Sequence, residues 1–139
     1  MFTYCYGLTD VFISNNVTSI GEYAFAECTG LISATIGTGI YNLSESLFYN
    51  CTNLTSVTLL GDIRTIDKHA FYNCNKLEDI NANFSNVEEI GPLAFYNTAW
   101  YNNQPDGVVY IGKTLYGYKG TMPENTTIVV KEDTLSISS

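Results

Sequence analysis

Cys5, Cys28, Cys51 and Cys74 follow one another at intervals of 23 residues. A fixed period in this range marks a stack of small supersecondary units, none of which can bury its apolar face alone. The period extends beyond the thiols. Phe2, Phe25, Phe48 and Phe71 keep it, and Phe95 follows one residue late. Leu8, Leu31, Leu54 and Leu77 fill a third slot, and Val11, Ala34, Val57 and Ile80 a fourth. Ile13, Ile36, Leu59 and Ala82 fill a fifth. A second apolar pair recurs as Val17/Ile20, Ile40/Leu43, Ile63/Ile66 and Val87/Ile90. Ala24, Leu47, Ala70 and Ala94 precede their Phe. Each unit reads L-x-x-V-x-I, then V-x-x-I, then A-F-x-x-C.

Each slot has a physical reading. The V-x-I pair places two apolar side chains on one face of a short strand, because strand side chains alternate. V-x-x-I reads as a second extended segment on another side of the coil. Gly21, Ser44, Asp67 and Gly91 come next, residue types that favour or tolerate a helix N-cap. Pro92 then sits at a first-turn position, where a missing N–H costs least. The pattern therefore predicts a short helical turn at Ala-Phe, with Phe inward and Cys closing the turn.

The runs Leu54-Thr55-Ser56-Val57-Thr58-Leu59, Ile63-Arg64-Thr65-Ile66 and His69-Ala70-Phe71-Tyr72-Asn73-Cys74 resemble the leucine-rich repeats of the BspA-like type, found in bacterial surface proteins and some protozoan ones. The likeness spans residues 2 to 98 and resumes near Thr127. The Pro usual after the first strand is replaced by Ser14, Gly37, Leu60 and Asn83. The resemblance implies a leucine-rich repeat right-handed solenoid, a β/α superhelix of short parallel strands and short helical turns. It also implies an extracellular or cell-surface setting, with adhesion or host-protein binding.

The repeat breaks between Phe95 and Val130. Phe to the last strand residue normally spans 11 positions and here spans 35, so roughly one coil is inserted. Pro105-Asp106-Gly107 is a strong turn signal. Val108–Ile111 and Leu115–Tyr118 flank Gly112-Lys113-Thr114 and predict a β-hairpin. The expected organisation is residues 1–98 as repeat coils, 99–124 as a coil-length insertion carrying the hairpin, and 125–139 as the start of a further, truncated repeat. Neither end carries the polar cap that a solenoid needs, so the chain is expected to be part of a longer array. Its first residues, Met1-Phe2-Thr3-Tyr4-Cys5, do not read as a signal peptide.

Composition narrows the function. The chain has 139 residues, one domain's worth, with 45% hydrophobic and only 14% charged residues. The formal net charge is −8, and six Lys and Arg give no basic patch for phosphates. Nucleic acid and anionic membranes are disfavoured partners. No apolar run approaches the length of a membrane span.

The cysteines admit three readings. A disulfide fits the expected distance between coils but not parallel Cβ vectors. A metal needs ligands that converge, whereas a ladder lies along a line. A row of small buried thiols needs neither, and Thr98 in the fifth place retains only size and polarity. His69, the one histidine, has Tyr23, Ser46 and Leu93 as its equivalents and reads as a surface residue. No G-x-S-x-G elbow occurs. Glu78-Asp79 and Glu88-Glu89 are adjacent pairs whose carboxylates point apart. We expect no catalytic residues, no cofactor and no metal. The N-x-S/T sequons at Asn16, Asn42, Asn50, Asn53, Asn83 and Asn125 read as a product of composition.

Two surfaces are candidate binding sites. The outward strand residues Asp10, Phe12, Thr35, Thr58, Asp79 and Asn81 would line the concave face, the usual binding surface of such solenoids. The insertion collects Trp100, Tyr101, Tyr110, Tyr116 and Tyr118, of which Trp100, Tyr110, Tyr116 and Tyr118 are the ligand-binding candidates. These aromatics either pack on the solenoid or form an exposed platform for a protein or glycan. Tyr49, Tyr72 and Tyr96, each followed by Asn, should form ladders, either as lateral stacking or as an interface. The leading functional expectation is a non-catalytic protein- or glycan-binding module, with adhesion to host matrix as one form of it. The alternatives are a structural spacer, or an accessory domain of a larger surface protein or enzyme.

Overall fold

The computed structural model describes residues 1–139 and is a β-solenoid with parallel strands. Its elements are β1 (Asp10–Ile13), β2 (Ser33–Ile36), β3 (Asn42–Leu43), β4 (Ser56–Leu59), β5 (Thr65–Ile66), β6 (Asp79–Ala82) and β7 (Glu89–Ile90). They are followed by α1 (Ala99–Asn102), β8 (Gly107–Ile111), β9 (Thr114–Lys119) and β10 (Ser136–Ile137).

The apolar slots of the sequence become columns. β1, β2, β4 and β6 form one parallel sheet in which Val11, Ala34, Val57 and Ile80 are in register. β3, β5 and β7 form a second parallel ladder, with Leu43, Ile66 and Ile90 in register. Between them runs a single core that includes Phe25, Phe48, Phe71 and Phe95. Their rings stack with centroids 5.3–5.7 Å apart, and Phe2 continues the stack at its open end. Each ring pair contributes about 1 kcal/mol beyond the area it buries.

The turns expected to be helical are not helices. Two residues of each turn have left-handed backbone: Tyr23 and Glu27 (φ 56° and 58°), Ser46 and Asn50, His69 and Asn73, Leu93 and Asn97. An α-helix needs every N–H to point along one axis toward the fourth residue back. Here the left-handed residues make the peptide planes alternate. The N–H groups of Tyr23, Phe25 and Glu27 reach across to the next coil, onto the carbonyls of Glu45, Leu47 and Tyr49 at 3.0, 3.0 and 2.7 Å. Those of Ala26 and Cys28 fold back three residues onto Tyr23 and Phe25. The third side of the coil is thus a ladder of turns, and it hydrogen-bonds between coils as a sheet does. The one helix, α1, is a single turn capped by the Thr98 hydroxyl, which accepts the Tyr101 N–H.

One register detail bears on chain length. β6 aligns with β4 at an offset of 23 residues, whereas β7 aligns with β5 at 24. The extra residue lies between Ala82 and Glu89, in the corner that joins the two ladders. Both ladders keep their pairing across it.

Beyond the last turn the regular pattern ends. β8 and β9 pair antiparallel, and Gly112 turns the chain between them at φ 56° against the Phe84 carbonyl. Val109 pairs with Gly117 and Tyr110 with Leu115, so Tyr116 is an extra, bulged residue. Ile111 joins the solenoid core. Residues 120–133 are exposed and form no strand, and Val129 is 84% exposed. Val130 lies within this stretch. β10 pairs in parallel with β9, and Ser138 donates to the Ile90 carbonyl at 2.7 Å.

Candidate functional site

The buried columns bind the coils to one another. Cys28, Cys51 and Cys74 are unpaired thiols with no exposed surface. Their Sγ atoms lie 3.0, 3.1 and 3.0 Å from the carbonyls of Phe2, Phe25 and Phe48, one coil back, and each thiol donates to that oxygen. Burial pushes the Cys28 thiol up to about 11, and Cys74 is raised for the same reason. These are inert packing thiols rather than nucleophiles. Thr98 does not repeat the contact, since its hydroxyl donates to Phe95 within its own turn.

A polar column runs along the outside of the turns. Asn50 Nδ2 donates to Glu27 Oε1 at 2.8 Å, Asn73 Nδ2 to Asn50 Oδ1 at 2.9 Å and Asn97 Nδ2 to Asn73 Oδ1 at 2.7 Å. All four residues have positive φ. Asn suits this slot twice over, because it tolerates left-handed backbone and its amide both donates and accepts. Beside it, Tyr49 stacks on Tyr72 at 5.0 Å and Tyr72 on Tyr96 at 4.9 Å. His69 meets both Tyr49 and Tyr72 edge-on. No acid or nucleophile joins it in these contacts.

The outward strand residues form two rows. Asp10, Ser33, Ser56 and Asp79 are in register, as are Phe12, Thr35, Thr58 and Asn81. The structure thus brings the six strand candidates onto one face. Ser33 donates to Asp10 at 2.6 Å, which holds the Asp10 carboxyl below its usual range. Phe12 stands 71% exposed at one margin of an otherwise small, polar surface.

The insertion aromatics divide. Trp100 lies against Phe95 at 5.1 Å and covers the end of the phenyl column. Tyr116, redirected by the bulge, meets Phe95 edge-on at 5.6 Å, and its hydroxyl accepts the Phe95 N–H at 3.0 Å. Burial raises its pKa. Tyr110 faces elsewhere: its hydroxyl accepts from the Lys131 N–H and from Thr134, with the Lys131 ammonium 4.4 Å above its ring. Those hydrogen bonds, that from Thr134 first, lower its pKa. Tyr118 borders an open cleft of about 250 Å³ with Tyr116, Tyr101, Tyr96, Leu93 and Ser138. None of the nine lining side chains is charged, and Ser139 among them bears the terminal carboxylate of the 139-residue chain.

The description "BspA type Leucine rich repeat region" matches residues 1–120 in six copies. The chain belongs to this family. A search of curated proteins and a search of solved structures each found no match. The match runs through β8 and β9, which the sequence set apart as an insertion. No helix of this BspA-type repeat chain is long and apolar enough to cross a membrane.

The cleft joins residues that sequence reasoning kept separate. Tyr101, Tyr116 and Tyr118 stood among the insertion aromatics and Tyr96 in the tyrosine ladder. The usable signal was position: Tyr96 is the last in-phase tyrosine before the repeat breaks. With four phenols and no charged side chain, the cleft suits stacking and hydrogen bonding to a ligand.

Proposed function

We propose that this chain is a non-catalytic binding module of a secreted or cell-surface BspA-type protein, with a protein or glycan as its ligand. The observation that carries the reading is the cleft walled by Tyr96, Tyr101, Tyr116 and Tyr118, with no charged side chain in its lining, on a chain of net charge −8. Tyrosine offers large contact area at small entropic cost and a polar tip for orientation, which is why it concentrates in recognition surfaces. The cleft walls are also held in place, by the Phe95 N–H on Tyr116 and by ring contacts between Tyr101 and Tyr116. Pre-set walls lose little freedom on binding. The rows Asp10–Ser33–Ser56–Asp79 and Phe12–Thr35–Thr58–Asn81 offer a second, flatter surface for the same role.

The test is to probe glycan and matrix-protein arrays with the chain and with two variants, Tyr118→Ala in the cleft and Thr35→Lys/Thr58→Lys on the strand face. A ligand whose binding falls at least about tenfold in one variant supports the proposal. Failure to retain any glycan or protein would overturn it in favour of the spacer reading.

A further inference from the structure

The tyrosine column stops while its geometry continues. Tyr49, Tyr72 and Tyr96 stack at 5.0 and 4.9 Å, with interplanar angles of 8° and 19°. Tyr72 covers one face of Tyr96, and no ring covers the other. Tyr96 is 49% exposed and borders the cleft. In a further regular coil the next tyrosine would stand about 5 Å beyond Tyr96, within the usual range for stacked rings. The chain instead passes through α1 and the β8–β9 pair, and Tyr101, Tyr116 and Tyr118 line one cleft with Tyr96. The phenyl column differs at the same level. It is closed by Trp100 and Tyr116 from the same chain.

We propose that the vacant position beside Tyr96 receives an aromatic side chain, Tyr or Phe, presented by a peptide segment of the partner. This rests on the binding-module reading and names its ligand. The ligand ring stacks on Tyr96 as the fourth member of the column, and the phenols of Tyr101 and Tyr118 supply hydrogen bonds to the adjoining peptide groups. The lining side chains carry no charge, so a neutral segment buries no side-chain ion against them.

The experiment is NMR titration of the isotope-labelled 139-residue chain with three probes: N-acetyl-tyrosinamide, N-acetyl-leucinamide and cellotetraose. The expected result is saturable ring-current shifts at the Tyr96, Tyr101 and Tyr118 ring protons with N-acetyl-tyrosinamide, and none with N-acetyl-leucinamide. Tyr96→Phe should keep the affinity, and Tyr96→Leu, similar in apolar bulk, should lose about tenfold, the value of one stacked pair. Saturable shifts with cellotetraose alone, an equal response in Tyr96→Leu, or no saturable shift with any probe would each overturn the proposal. A ligand mapped by the arrays to the Thr35–Thr58 face, with no response here, would leave the binding module standing and remove only this site.

Discussion

The coils from Phe25 to Phe95 and the segment from Trp100 to Ser139 are built on opposite principles. In the coils the same contact recurs from each coil to the next: phenyl on phenyl, thiol on the preceding carbonyl, amide on amide. In the later segment the contacts are between unlike groups. Tyr116 meets Phe95 at right angles, Lys131 covers Tyr110 and Thr114 donates to the Val87 carbonyl. A residue in the coils is held from two sides by repetition. One in the later segment depends on one or two specific partners. Losses should therefore be large and graded by position in the coils, and small and local beyond them.

The sharpest challenge to this contrast is Phe71→Ala, which opens a gap in the middle of the phenyl stack. It should cost roughly 3–5 kcal/mol in denaturant unfolding. A cost below that of Tyr116→Ala would invert the comparison. Next is alkaline stability. The unfolded Cys28 thiol loses its proton above its ordinary value of 9.0, whereas the folded thiol keeps it until about 11. The stability that Cys28 contributes is full below pH 9 and declines as pH rises toward 11, because the folded state then binds more protons than the unfolded one. Unfolding midpoints measured at pH 7, 9, 10 and 11 should show it, and Cys28→Thr should reduce it. A flat profile would mean that the thiol column is open to solvent.

Asn73→Ala removes the central link of the amide chain and puts a Cβ-bearing residue without a local acceptor at φ 58°. The expected cost is about 2 kcal/mol. Asn73→Gly, which relieves the backbone but not the amide, separates the two effects. Leu93→Asn should do the reverse, gaining about 0.5 kcal/mol at φ 57°. The smallest effect is expected for Val129→Asp, within about 0.5 kcal/mol, since that side chain stands in solvent. A larger loss would show that residues 120–133 are packed more closely than their exposure implies.

The same contrast explains what was legible. Phe25, Phe48 and Phe71 could be placed from sequence because each confirmed the phase of the others. The turn backbone could not. Tyr23, Ser46, His69 and Leu93 share one left-handed slot, yet only His69 is of a type enriched at positive φ. The Asn50–Asn73–Asn97 slot did carry such a signal, and it spoke against a helix at Ala-Phe. Tyr116 occurs once, so its bulge had no second copy to reveal it. The strand rows of the candidate site were readable from period two. The cleft was not, because it needs Tyr96 and Tyr118 from unrelated elements.

The corner between Ala82 and Glu89 takes in a residue without disturbing either ladder. It acts as a slack point in an otherwise rigid cylinder. Single-codon insertions and deletions in a gene of this kind should survive there and perish within the strands. Drift in the length of individual units would then leave the inner columns aligned while the outline of the molecule varies from coil to coil.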